Sequence, residues 1–140
     1  MKQFGQEEID NFIKVMDFSK LGGGLIPVVA QDDETNEILM LAFANEEAVR
    51  KSLETGFAHY YSRSRQTLWK KGGTSGHVQR IKHVIIDCDN DSILFKVDQE
   101  GGACHKGKRS CFYNEYTEDG NMLFIGEDVF NPDDVYDNPE

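Results

Sequence analysis

Three features of the sequence predict an α+β fold, a curved and mostly antiparallel sheet with two helices. Two stretches place apolar residues at helical spacing. The remaining apolar runs are short, rich in β-branched and aromatic residues, and separated by Gly, Asn and Asp. Nine Phe, five Tyr and one Trp supply enough bulk for one core. At 140 residues the chain has the usual size of a single domain, and 1–140 reads as one.

Ile9, Phe12, Ile13 and Met16 form one apolar face of a helix over Glu7 to Phe18, and Gly22-Gly23-Gly24 breaks the chain after it. Leu25 to Ala30 and Ile38 to Ala44 read as strands joined by a polar turn, a predicted hairpin. Asn45 is placed to cap a second helix, with Glu46 and Glu47 in its first turn and Gly56 at its end. Phe57 to Ser62 and Thr67 to Lys71 are short aromatic strands, followed by the polar loop Gly72 to Gly76. A long strand from His77 to Asp87 is predicted to pair with Ser92 to Val97 across an Asn90-Asp91 turn. Glu100 to Ser110 is an irregular loop, and Cys111 to Tyr116 and Met122 to Ile125 are weaker elements. From Glu127 the chain holds six acids and two prolines in fourteen residues, so 127–140 is predicted to be an extended or frayed acidic tail.

The charge pattern limits the function classes. A formal net charge of −10 disfavours nonspecific binding to nucleic acid or to anionic membranes. No apolar run approaches the ~20 residues of a membrane span, and the acidic N-terminus lacks a signal-peptide pattern. A cytoplasmic protein is expected. Yet Phe57 to Ile86 contains no Asp or Glu, in a chain with 25 of them. It carries Arg63, Arg65, Lys70, Lys71, Arg80 and Lys82. Lys106, Lys108 and Arg109 form a second basic cluster. A focused basic segment in an acidic protein suits a small polyanion.

Two groups of residues carry chemistry. Asp87, Asp89 and Asp91 alternate along Asp87-Cys88-Asp89-Asn90-Asp91 and share one face if the backbone stays extended. Crowded carboxylates need a cation, and hard oxygen donors suit Mg²⁺ or Ca²⁺. An Asp-rich turn without metal has the same composition. The second group is Cys88, Cys104 and Cys111. An odd cysteine count does not suggest a disulfide framework. Soft thiolates prefer Zn²⁺, and three protein ligands with one open position is the pattern of catalytic zinc, where a water is activated. Cys88 would face away from the carboxylates, so one strand would feed two metal sites, with Cys88 meeting Cys104 and Cys111 of a second subunit.

These same residues carry a family resemblance. From about Leu25 to Tyr113 the sequence resembles phosphoribosyl-AMP cyclohydrolase, in its monofunctional form. The matching stretches are Asn45-Glu46-Glu47-Ala48, Tyr60 to Arg65 through Leu68-Trp69-Lys70-Lys71-Gly72, Thr74-Ser75-Gly76-His77, Asp87 to Asp91, and Gly102-Ala103-Cys104-His105, with Cys111 at the family's spacing. The resemblance implies a homodimer binding one Zn²⁺ and one Mg²⁺ per subunit. Zinc would be held by Cys88 of one subunit with Cys104 and Cys111 of the other, and magnesium by Asp87, Asp89 and Asp91. It implies hydrolysis of the N1–C6 bond of the adenine in 1-(5-phosphoribosyl)-AMP, the third step of histidine biosynthesis.

For that reaction His105 is the first candidate for a general base, by its place beside Cys104, and His77 the second. The two substrate phosphates suit Arg63, Arg65, Lys70 and Lys71, with the hydroxyls of Thr74 and Ser75, and Trp69 is placed to stack on the purine. A non-catalytic structural zinc or nucleotide-binding protein is the alternative. A zinc nucleobase deaminase is not, because H-x-E and P-C-x-x-C are both missing.

Overall fold

The computed structural model of the chain describes residues 4–135. Its elements run α1 (Gln6–Val15), a 3₁₀ turn (Gly22–Gly24), β1 (Ile26–Asp32), β2 (Ile38–Ala44), α2 (Glu46–Thr55), β3 (His59–Ser62), β4 (Thr67–Lys70), β5 (Gln79–Ile86), β6 (Ile93–Gln99), β7 (Asn114–Tyr116), β8 (Met122–Phe124) and α3 (Pro132–Val135). The fold is α+β, with corrections to the predicted sheet and helices. A third short helix, α3, joins the two expected ones, and α1 stops at Val15, short of Phe18. Among the described residues three sheets stand where one was expected, a four-stranded sheet β2-β1-β6-β5 and the two-stranded ribbons β3-β4 and β7-β8.

The four-stranded sheet is two hairpins joined side by side. β1 pairs antiparallel with β2, and β5 with β6. The hairpins meet through β1 and β6, which run parallel, with Val28 opposite Ile93 and Ala30 opposite Phe95. These two strands alternate buried with less buried residues and occupy the centre. Hairpin turns fix only local antiparallel pairs. The parallel join buries together the two strands whose burial alternates most regularly, and no local sequence signal announces it.

α2 is built by its caps. Asn45 Oδ1 accepts the Ala48 N–H at 2.9 Å, and Gly56 closes the helix in the left-handed region with φ 79°. The buried Ser52 hydroxyl donates to the Ala48 carbonyl and accepts the His59 N–H at 2.8 Å, which fixes where β3 leaves the helix. α1 packs on α2, tied at its edge by an Arg50–Asp10 ion pair of 2.7 Å. One apolar cluster joins α1, α2 and the central sheet.

A buried polar chain links the β3-β4 ribbon to that sheet. The Tyr60 hydroxyl donates to Gln79 Oε1 at 2.6 Å, and Gln79 Nε2 donates to Gln99 Oε1 at 2.8 Å. Tyr60 and Gln79 are fully buried. Burial pushes the Tyr60 phenol well above its usual range, so it stays a donor.

The tail differs from the expectation. The Arg109 N–H donates to the Glu127 carbonyl and the Val129 N–H to the Gly107 carbonyl, both at 2.8 Å. The Phe130 ring packs edge-on to His77, with centroids 4.5 Å apart. Two apolar residues among the acids therefore dock 127–135 on the body, and the rest of the predicted tail lies outside the described residues. No helix among the described residues is long and apolar enough to cross a membrane.

Tyr60→Phe leaves Gln79 Oε1 without its donor in a buried site. It should cost about 1–3 kcal/mol of stability in urea unfolding, the penalty of an unsatisfied buried acceptor. An unchanged midpoint would show that the polar chain does not hold the ribbon.

Candidate active site

A cavity of about 540 Å³ opens between β2, the β3-β4 ribbon and the loop that follows β6. That volume suits a small organic ligand. Arg63, Arg65, Trp69, Lys70, Lys71, Thr74 and His105 all line it, as does Cys111. Met40, Ala42, Phe43 and Tyr61 are among the other residues of its wall. The sequence reading missed these four. The signal for the first three was present, because β2 is apolar at nearly every position, more than the covering of one face requires.

The basic side chains differ in their exposure. Arg63 and Arg65 are exposed on the turn between β3 and β4, with the Arg63 guanidinium 4.2 Å from the Phe43 ring centre. Lys70 is exposed, its ammonium 4.6 Å from the Phe57 ring centre. Trp69 lies on β4 with its ring 5.3 Å from that of Tyr60, so its inner edge is core and its outer edge cavity wall. Lys71 is buried, and its ammonium donates to the Ala103 carbonyl. The second basic cluster is largely spent inside the protein. The Arg109 guanidinium pairs with Asp32, and Lys108 pairs with Asp128.

Ser75 and His77 do not line the cavity. The Ser75 hydroxyl accepts the His77 N–H at 3.1 Å and shapes the turn. The His77 ring lies beneath Gly101, where an added Cβ would stand 2.7 Å from Cδ2, and against Phe130. Gly72 fixes the entry to this turn. Its φ is +82°, and a Cβ there would fall 2.5 Å from the His77 backbone.

The loop after β6 brings two thiols together. Cys104 and Cys111 lie close enough for their thiols to act on each other electrostatically. The Cys104 N–H donates to the Lys108 carbonyl at 3.2 Å and closes a tight turn, while the Cys111 N–H donates to the Leu39 carbonyl at 2.7 Å at the start of β2. Cys111 is exposed as a residue, yet its thiol is desolvated. Burial pushes it up to about 12, the neighbouring Cys104 adds to the rise, and Lys71 opposes it. A desolvated pair of soft donors fits a thiophilic cation such as zinc, which ionises its thiols on binding. Cys88 is far from them. It sits on the exposed β5-β6 turn, whereas the loop packs at the opposite end, beside Gln99 and Asp32.

Asp87, Asp89 and Asp91 bring ligand oxygens within 4.8 Å of one another. They converge through a turn and not through strand alternation, a correction to the extended backbone assumed above. Asn90 has φ 62°, and Asp87 Oδ1 accepts the Asp91 N–H at 2.9 Å. Hydrogen bonds from the Ser92 hydroxyl and from Asp91 hold the Asp87 carboxyl well below its usual range. Asp91 is raised, because Asp87 and Asp89 face it. The set fits a hard cation, and the Lys20 ammonium already reaches it, 2.9 Å from Asp89 and 3.4 Å from Asp91. Lys20 was not foreseen, and nothing in its local sequence marks it.

Comparison with known proteins identifies this arrangement. The phosphoribosyl-AMP cyclohydrolase family model matches residues 40–113. The chain belongs to the phosphoribosyl-AMP cyclohydrolase family. Its relatives include the phosphoribosyl-AMP cyclohydrolases of Methanococcoides burtonii, 57% identical over 115 residues (82% of this chain, 92% of the relative), and of Haloarcula marismortui, 60% over 111 residues (79% and 89%). That of Desulforapulum autotrophicum is 55% identical over 122 residues (86% and 97%). The chain is thus an enzyme of this cyclohydrolase family. Every residue lining the cavity, the three cysteines and the three aspartates fall inside the family match, while Lys20 and the β7-β8 hairpin fall outside it.

The acidic cluster gives a pH-dependent prediction. Asp91 binds its proton more tightly in the folded protein than in the unfolded chain, so metal-free protein loses that stability as pH rises through the raised pKa. Mg²⁺ should relieve the repulsion. Its addition to EDTA-treated protein should raise Tm near neutral pH and lose its effect below about pH 4, where carboxyls protonate. A Tm indifferent to Mg²⁺ at neutral pH would count against a cation site here.

Proposed function

We propose that the chain hydrolyses the N1–C6 bond of the adenine ring of 1-(5-phosphoribosyl)-AMP, opening it to the formimino-aminoimidazole carboxamide ribonucleotide in the third step of histidine biosynthesis. The observation that carries this reading is the cavity, which sets a purine-sized aromatic wall, three exposed cations and a His105–Cys111 edge around one volume.

The residues divide the task by their chemistry. Trp69 offers its cavity edge for stacking on the base. Arg63, Arg65 and Lys70 are the exposed cations of the cavity and suit the two phosphates, and Thr74 adds a hydroxyl. N1 substitution makes C6 electrophilic, and a water oxygen adds there. His105, on the cavity wall next to Cys104, accepts the proton of that water. The C6–N1 bond then breaks with its electron pair going to N1, and the proton returns there, leaving C6 as the carboxamide. Cys104 and Cys111, with Cys88 of a second copy, would hold one zinc per subunit, and Asp87, Asp89 and Asp91 one magnesium. A zinc ion bound there would supply Lewis acidity that eases deprotonation of water.

The sharing of the thiols between two copies is supported by distance. β5 spans eight residues, roughly 26 Å of strand at 3.3 Å per residue, and it separates Cys88 from the loop that carries the other two. Phe112, Tyr116, Met122, Leu123, Phe124 and Ile125 expose a run of apolar side chains directly after Cys111, which suits burial between subunits.

Ultraviolet assay of 1-(5-phosphoribosyl)-AMP turnover tests the reaction. EDTA should abolish turnover, and Zn²⁺ with Mg²⁺ should restore it. Absence of turnover from a folded, metal-loaded sample would overturn the reading. Cys88→Ser and Cys104→Ser should each be inactive alone with little bound zinc. Mixed after subunit exchange they should recover roughly a quarter of wild-type activity, since random pairing places one intact site in half of the dimers. No recovery, despite mixed dimers, would place all three thiols in one chain.

A further inference from the structure

Lys71 is the residue that the sequence pattern and the structure treat most differently. By composition it is one of six cations in the basic segment Phe57 to Ile86. In the fold it is 3% exposed, whereas its neighbour Lys70 is exposed. A lysine is almost never buried to that degree without compensating partners. Its ammonium donates to the carbonyl of Ala103, the residue before Cys104, and lies 5.9 Å from the Trp69 ring centre. It is close enough to Cys111 to act on that thiol electrostatically. The backbone holds it in place. The Lys71 N–H donates to the Ala58 carbonyl at 3.0 Å, and the next residue is the conformationally locked Gly72. Such a side chain cannot swing out to follow a phosphate.

Resting on the reading of Cys104 and Cys111 as metal ligands, we propose that Lys71 is a positioning residue for the thiol loop and its fixed counter-charge, and not a substrate-phosphate contact. Three thiolates around a dication leave one net negative charge, and one buried ammonium offsets it. The same ammonium pins Ala103, and through it Cys104 and His105, to the end of β4. Lys71 thereby couples the substrate-facing ribbon to the thiol loop through one side chain.

Lys71→Met keeps the length and apolar stem but removes both charge and donor, Lys71→Gln removes the charge and keeps a donor, and Lys71→Arg keeps the charge. Zinc affinity, measured by competition with a chelating dye, is read beside kcat and KM. Lys71→Met should bind zinc about ten- to a hundredfold more weakly, the usual effect of losing a group that supports metal ligands. Its KM, measured at saturating zinc, should stay near wild type while kcat falls. Lys70→Met should do the reverse, raising KM with zinc affinity unchanged. A Lys71→Met protein with wild-type zinc affinity and a raised KM would overturn the proposal and return Lys71 to the phosphates. Should Lys71→Met fail to fold, the other two variants decide, with Arg above Gln in zinc affinity supporting the proposal and equality overturning it. Wild-type protein that takes up no zinc would instead overturn the proposed function, and this inference with it.

Discussion

The Arg109 guanidinium is the constraint on which the candidate site depends. The loop from Gly101 to Cys111 has little regular structure to hold it, yet it carries Cys104, His105 and Cys111. Arg109 gives it a position by reaching the Asp32 carboxylate at the end of β1 and the carbonyls of Gln99 and Gly101. Asp32 is 5% exposed and also accepts the Glu34 and Thr35 N–H groups, so it is itself held. A half-buried ion pair of this kind adds little by existing, but losing one partner strands the other charge. The loop then clips back on itself, with the Ala103 N–H on the Arg109 carbonyl.

Seen this way, the basic residues have two separate uses. Arg109 and Lys108 are consumed by carboxylates of the protein and set loop geometry. Arg63, Arg65 and Lys70 sit exposed at the cavity, in a stretch that has no acid to pair with them. The absence of Asp and Glu between Phe57 and Ile86 means that no carboxylate of their own segment draws these cations from the cavity. Counting charges along the sequence finds both groups but cannot separate them, because the partner of Arg109 is 77 residues away.

The legible parts of the fold were the local ones. Asn45 and Gly56 declared α2 through cap chemistry, and the Asn90-Asp91 turn declared the β5-β6 hairpin, because each signal is complete within a few residues. The parallel join of β1 and β6 was not legible, since it expresses a choice between whole hairpins. The acidic tail misled because its composition is dominated by solvent-facing acids, while its docking depends on Val129 and Phe130. Most of the proposed substrate-binding and metal-binding residues could be nominated from motifs. What each does required burial, and burial divides Lys70 from Lys71 although the two are adjacent and identical in type.

The separation of the two candidate metal clusters within one chain has a consequence for the proposed assembly. Cys88 lies between Asp87 and Asp89, so wherever Cys88 goes the carboxylates follow within a few residues' reach. If Cys88 completes the thiol set of a second copy, the acidic turn of the first copy arrives beside the second copy's cavity. A cavity edged by exposed cations would then gain a carboxylate-held divalent ion, and phosphate recognition would combine Arg63, Arg65 and Lys70 with a metal from across the interface. The tight Asp87–Ser92 turn matters for this reason. By tying the Asp87 carboxylate to the backbone N–H groups of Asp91 and Ser92 and to the Ser92 hydroxyl, it lets the hairpin carry one oxygen donor already held in place beside Asp89 and Asp91. In the proposed dimer, β5 and β6 would serve as a rigid spacer whose length sets which copy each ligand serves.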